Sequence, residues 1–221
     1  MKKTVFTLCV DDYAPEIRDI TYPLLKKYAN KIGADFCVID QRKYPDMPVT
    51  YEKIQVRDKA EGNDWNLFFD SDVVIHPDTP DITTLMPRDT VGNNRNDFAS
   101  MRWTYDKYFI RDGRNIGCGN WLILASDLTV DDLFAPLDIP LEEALKNIHP
   151  TTKEEEFGIT KEHLIDDYLL SRNVARYGLK YKPVDKLLKE YIPGAKCFYH
   201  IYTDTIEEKV KKLKSVVERL Q

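Results

Sequence analysis

The stretch Leu67-Phe68-Phe69-Asp70-Ser71-Asp72-Val73-Val74-Ile75 sets two carboxylates, one residue apart, between two apolar triplets. So apolar a run predicts a buried strand whose exit presents acids to a cleft. Residues i and i+2 of a strand share a side, so Asp70 and Asp72 are expected to point together. Two like charges held that close repel unless a cation or a shared proton lies between them. A divalent metal is the economical guest, because hard oxygen donors suit Mg²⁺ or Mn²⁺. Such ions are commonly held by one or two carboxylates together with the phosphates of a substrate. An Asp-x-Asp also occurs as an ordinary strand cap or turn, and the motif alone leaves both readings open. Its surroundings favour the first: the flanks are too apolar for a surface turn, and the punctuation Asp78-Thr79-Pro80-Asp81 comes only afterwards.

A chain of 221 residues, 43% hydrophobic and 31% charged, can bury one sizeable core and is expected to form a single domain. The net charge of -5 and the isoelectric point near 5.5 speak against nucleic acid as a partner. Cys9, Cys37, Cys118 and Cys197 are scattered without C-x-x-C spacing or a signal peptide, so they read as reduced thiols in a cytoplasmic setting. No apolar stretch approaches the ~20 residues a membrane span needs. Met1-Lys2-Lys3 leads directly into strand-like sequence, so neither a leader nor a transmembrane segment is expected.

Residues 4–10 (TVFTLCV) read as a first central strand feeding a loop at Asp11-Asp12-Tyr13. Pro15 suits a first helical turn, and Ile17, Ile20, Leu24, Leu25 and Tyr28 follow at helical spacing, with Pro23 expected to kink or split the segment. Gly33 reads as the stop before a second strand over 35–39, which makes a right-handed β-α-β unit. Residues 51–60 predict another helix before the strand 67–69. Beyond Ile75, Pro77, Pro80, Pro87, Gly92 and the run Asn93-Asn94-Arg95-Asn96 read as loops, with a strand over 98–103. Gly117, Gly119 and Asn120 precede the apolar run 122–125; two glycines let backbone approach a ligand closely, and equally suit a bulge or turn. Helices are expected over 141–148 and 162–177, and short strands over 181–184 and 198–202. From Thr205 onward, Ile206, Val210, Leu213, Val217 and Leu220 form an apolar stripe opposite a Lys/Glu face. That is the pattern of a terminal helix docked on its own domain; a partner or membrane surface could also use it.

Taken in order, these features resemble the GT-A nucleotide-sugar glycosyltransferases, in particular the retaining group that includes glycogenin and the bacterial lipopolysaccharide galactosyltransferases. The resemblance reaches from the N terminus to His200. It implies a single α/β, Rossmann-like GT-A domain with a mixed, mostly parallel central sheet flanked by helices, plus a C-terminal helix. Residues 1–75 would be the nucleotide-binding half, 76–204 the acceptor and sugar half, and 205–221 the terminal helix, a natural joint if the chain is one domain of a larger polypeptide. Phe6-Thr7-Leu8-Cys9-Val10 followed by Tyr13 is similar to the family's first strand and loop, which implies that Leu8, Val10 and Tyr13 hold the donor's uracil. Tyr51-Glu52-Lys53-Ile54 is similar to its helix with a lysine, here Lys53, near the donor phosphates. Asp70-Ser71-Asp72 matches its Asp-x-Asp metal motif, and Asp166-Asp167-Tyr168-Leu169-Leu170 resembles the segment beside the reacting sugar, which makes Asp166 and Asp167 the catalytic candidates. His200 stands where a late histidine completes a metal site with Asp70 and Asp72. As a neutral imidazole it suits Mn²⁺ better than Mg²⁺. Gly117, Gly119 and Asn120 would shape the pocket for donor sugar or acceptor.

Two departures stand out. The family usually has glutamine where this chain has Asp167, and its late histidine is followed by glycine and then a phosphate-gripping lysine, whereas here Ile201-Tyr202-Thr203 follows. Lys196 or Lys53 could supply the absent charge. The implied activity is metal-dependent transfer from a nucleotide sugar, a UDP-sugar first, to a glycan or glycoconjugate acceptor, with retention. Two rivals remain open. Asp70-Ser71-Asp72-Val73-Val74 also resembles the haloacid-dehalogenase phosphatase motif, although that motif normally opens its domain, and a binding module could keep this fold without turnover.

Overall fold

The computed structural model describes residues 1–94, 121–189, 191–201 and 205–220. The β-branched N-terminal run forms β1 (Lys3–Leu8), and the chain returns through α1 (Pro15–Lys31) into β2 (Asp35–Ile39). Pro15 occupies the first turn of α1, where its missing N–H costs nothing, and Gly33 takes up the left-handed conformation (φ 65°) that ends the helix. α1 runs unsplit through Pro23: Ile17, Thr21, Leu25, Tyr28 and Ala29 form one buried face along its whole length, and that packing outweighs the lost hydrogen bond.

The expected helix over 51–60 is two pieces, a 3₁₀ segment Val49–Ile54 and a short α2 (Gln55–Lys59). β3 (Trp65–Phe69) then enters the sheet beside β1, parallel and in register Phe6 to Phe68. The apolar run 67–75 is not one strand. The chain turns at Asp70-Ser71-Asp72, and β4 (Val73–Ile75) leaves to pair antiparallel with β8 (Phe198–His200) in a two-stranded sheet. The two acids are therefore brought together by a turn between sheets, not by strand alternation.

Thr90–Asn93, which the sequence reads as loop, is a strand, β5. It lies between β6 (Leu122–Ser126) and β7 (Lys180–Pro183), and neighbours on both sides supply what weak strand formers lack. Gly92 is needed there, because a Cβ would come within 2.9 Å of Val184 Cγ2 and 3.2 Å of Leu124 Cβ. Among the described residues the main sheet has six strands in the order β2-β1-β3-β6-β5-β7. β6 pairs antiparallel with both neighbours and the remaining pairings are parallel, so it alone runs against the rest.

Strand alternation divides the core. Val5, Leu67, Phe69 and Leu124 face Leu25, Tyr28 and Ala29 of α1, whereas Phe6, Phe68 and Ile123 face α3 (Val130–Leu133), Phe134, and Leu170 and Val174 of α6 (Ile165–Tyr177). Each such side chain taken from water contributes about 1.5–3 kcal/mol, so the sheet is held from both faces. α4 (Leu141–Asn147), α5 (Thr152–Glu156) and α7 (Val184–Leu188) complete the lower half of the chain, α4 packing against α6. The terminal helix α8 (Ile206–Arg219) starts at Thr205, whose hydroxyl accepts from Glu208 N–H (3.2 Å), and buries Leu213 and Val216 against Ile17 of α1 and Val74 of β4. No helix among the described residues is long and apolar enough to cross a membrane. The strand expected over 98–103 lies outside the described residues, as does Tyr202; β8 ends at His200.

Candidate metal and donor site

The parallel strands β1 and β3 end at the same edge, β1 at Leu8 and β3 at Phe69, and Asp70 follows directly. Here the turn 70–72 is pinned on both sides. Asp70 N–H donates to the Trp121 carbonyl (3.0 Å), Val73 N–H to the Asp70 carbonyl (3.2 Å), and the buried Thr21 hydroxyl of α1 to the Ser71 carbonyl (2.5 Å). These bonds fix the path of the turn that carries the two carboxylates.

β8 supplies the third group. His200 lies opposite Val73, and its Nε2 is 3.3 Å from Asp72 Oδ1. Trp121 stacks on the imidazole, centroids 5.4 Å apart and planes within 10°. One ligand atom each from Asp70, Asp72 and His200 falls within 4.8 Å of the others, a compact O,O,N set able to hold a divalent ion.

Two lysines neutralise these acids. Lys53 Nζ, almost wholly buried over the Phe68 ring, lies 2.7 Å from Asp70 Oδ1 and 2.7 Å from Asp166 Oδ2. Asp166 is in the first turn of α6, where the helix dipole favours negative charge, and its Oδ1 is buried with no hydrogen-bond donor among the described residues. Asp167 is buried beside it. Lys209, from the first turn of α8, places Nζ 2.6 Å from Asp72 Oδ2.

The charges separate the two acids. Burial pushes Asp72 up, but His200 and Lys209 outweigh it and hold the carboxyl far below the usual range. Burial pushes Asp70 up as well, and there the Asp72 and Asp166 charges reinforce it against the pull of Lys53 and His200, so its pKa stays raised. Burial alone would lower Lys53 and Lys209; Asp166 and Asp70 around the first, and Asp72 beside the second, raise both instead.

The loop after β1 forms the adjoining wall. Asp11, Asp12 and Ala14 all adopt left-handed backbone (φ 56°, 51° and 42°), a costly conformation for residues with a Cβ. Several contacts hold it: Cys9 Sγ donates to the Tyr13 carbonyl (3.4 Å), Arg18 pairs with Asp12 (2.7 Å), and Arg42 pairs with Asp11 (3.1 Å). Tyr13 N–H donates to the carbonyl of buried Val10, and Tyr13 is 44% exposed. Burial raises the Tyr13 hydroxyl; the charge of Lys209 pulls it down, and those of Asp72 and Asp70 push it up. Glu52, wholly buried next to Lys53, accepts from Arg42 Nε (3.0 Å), Lys43 N–H (3.0 Å), Tyr44 N–H (2.8 Å) and Gln55 Nε2 (2.7 Å).

Asp70, Asp72, His200, Lys53 and Asp166 are thus brought together just past the end of β3, Ser71 within the turn and Asp167 next to Asp166; Leu8 ends β1, and Val10 and Tyr13 follow it in the loop. Gly117, Gly119 and Asn120 lie outside the described residues. Lys196 is exposed at the far end of β8, away from His200. Sequence reasoning passed over Trp121, Glu52 and Lys209. Lys209 lies on the polar face of α8, where a lysine carries no local signal of an inward position.

No protein-family model matches the chain, and no curated protein does. Among solved structures, a glycosyltransferase involved in glycosylation of the major capsid of PBCV-1 is similar at TM-score 0.53 and 14% identity, over 97% of this chain and 100% of its own. The galactosyltransferase LgtC in complex with donor and acceptor sugar analogs is similar at TM-score 0.54 and 10% identity, over 96% of this chain and 95% of its own. With its six-stranded mixed sheet, flanking helices and acid pair at the strand edge, the chain has the GT-A glycosyltransferase-like fold.

Proposed function

We propose that this chain is a metal-dependent glycosyltransferase that moves a sugar from a nucleotide-sugar donor, a UDP-sugar first among them, to a glycan or glycoconjugate acceptor with retention. The observation that carries the reading is the Asp70, Asp72 and His200 cluster, its ligand atoms within 4.8 Å, beside buried Lys53. A nucleoside diphosphate gathers negative charge as its bond to the sugar breaks, and a divalent ion held there supplies Lewis-acid stabilisation of that charge. The donor set fits Mn²⁺ or Mg²⁺.

The chain's own residues take the remaining tasks. Tyr13 offers an aromatic face to the base, with Leu8 and Val10 as the neighbouring backbone. Lys53 holds Asp70 and Asp166 in fixed relation, and Asp166, with Asp167, orients the donor sugar so that the acceptor hydroxyl arrives on the face the diphosphate leaves. Ser71 shapes the turn, and Gly117, Gly119 and Asn120 would line the sugar and acceptor side. On this reading residues 1–75 serve the nucleotide, 76–204 the sugar and acceptor, and 205–221 form a helix that closes the site's edge. The test is a panel of nucleotide sugars screened by thermal shift with MnCl₂, followed by donor hydrolysis and transfer assays. Stabilisation by one UDP-sugar with Mn²⁺-dependent turnover supports the proposal. Release of phosphate from an aryl phosphate would replace it with a phosphatase, and donor binding without turnover with a sugar-nucleotide-binding module.

A further inference from the structure

Asp72 is engaged at both oxygens: Oδ1 faces His200 Nε2 at 3.3 Å, and Oδ2 takes Lys209 Nζ at 2.6 Å from a helix 137 residues further along the chain. Neither side chain of the ion pair is solvent-exposed, at 15% for Lys209 and 10% for Asp72. A divalent ion bound by Asp70, Asp72 and His200 would contend for the same carboxylate. The backbone that carries Lys209 is anchored, since Leu213 and Val216 are buried against α1 and β4, yet a four-carbon stem lets the ammonium swing while the helix stays put. Lys53 has no such freedom, because it is clasped between Asp70 and Asp166. Among the described residues the three carboxylates Asp70, Asp72 and Asp166 meet two ammonium groups, so a divalent ion can enter with the least rearrangement by displacing the one held by a single carboxylate.

We propose that Lys209 is a built-in counter-ion that competes with the divalent cation for Asp72, and that cation entry turns its ammonium away from the carboxylate toward the anionic donor. This rests on the metal site of the proposed function. Competition of this kind is a coupling between two ligands of one group, so it has a sign that a merely structural ion pair does not.

The experiment titrates MnCl₂ alone into the full chain by calorimetry, comparing wild type, Lys209→Met and Lys209→Arg. Lys209→Met is expected to bind Mn²⁺ about tenfold more tightly and Lys209→Arg to behave like wild type. With Mn²⁺ saturating, UDP should bind Lys209→Met more weakly than wild type, so the substitution moves the two affinities in opposite directions. Unchanged or weakened Mn²⁺ affinity in Lys209→Met overturns the proposal while leaving the metal site intact. Failure of Mn²⁺ to bind any of the three proteins overturns the metal site itself. A measurement on the wild-type protein guards against a variant that does not fold: acetylation of Lys209, read by mass spectrometry, should quicken several-fold when Mn²⁺ is added, and an unaltered rate counts against the competition.

Discussion

The indole of Trp121 lies flat against the imidazole of His200, ring planes within 10° and centroids 5.4 Å apart. In the proposed metal site the imidazole has to be held in orientation, and a stacked ring does so from the residue before β6. Trp121→Leu is therefore expected to lower Mn²⁺ affinity by about tenfold, the lower end of what losing an orienting partner costs. Trp121→Phe, which keeps a stacking face, should restore most of it; equal affinities in all three proteins by calorimetry would refute the link.

His200→Ala removes the imidazole of the proposed metal site while leaving β8 paired through its backbone. Mn²⁺ binding should fall further than the thermal midpoint does. A large loss of thermal stability with unchanged Mn²⁺ affinity would instead make His200 a packing residue.

Lys53→Met leaves buried Asp166 and half-buried Asp70 without their shared ammonium. Removing one partner of a buried pair costs about 3–5 kcal/mol, a loss that denaturant titration at neutral pH should show directly. Lys53→Met combined with Asp166→Asn should cost less than the sum of the two single changes, because they act on one contact.

The two acids should oppose each other in their pH dependence. Asp72 has a folded pKa below its unfolded value of about 3.9, so its contribution to stability is present above that pH and is lost as pH falls through the folded value. Asp70 is raised, so its contribution is present below about 3.9 and is lost as pH rises through its folded value. In metal-free protein, Asp72→Asn should flatten the acid limb of the stability curve and lower stability at pH 7. Asp70→Asn should leave stability at pH 7 nearly unchanged while abolishing Mn²⁺ binding. Chemical denaturation between pH 3 and pH 8 distinguishes the two outcomes.

Much of this architecture is legible from residue order. The apolar and β-branched run of β1, Pro15 and Gly33 at the ends of α1, and the stripe Val210, Leu213, Val217 of α8 each carry a local signal strong enough to survive tertiary packing. The acid pair is also visible, but its mechanism of approach is not. Nothing local says that Leu67 and Val73 belong to different sheets, since β4 is defined by its partner β8 far along the chain. Thr90–Asn93 became a strand because β6 and β7 flank it, a non-local cause. Lys209 escaped notice because a lysine in the polar face of an amphipathic helix reads as solvated, and only the docking of α8 on α1 and β4 turns that position inward. Glu52 was hidden for a related reason: its donors Arg42, Lys43 and Tyr44 come from an irregular stretch whose path no periodicity records.

Arg42 ties two segments together, one nitrogen on Asp11 of the loop that carries Tyr13 and another on Glu52, the residue preceding Lys53. Displacing the aromatic rim would drag on the segment that seats the buried lysine, and loosening that segment would free the rim. A change as slight as Glu52→Gln would therefore be felt in the loop of Tyr13 and in the segment of Lys53 at once.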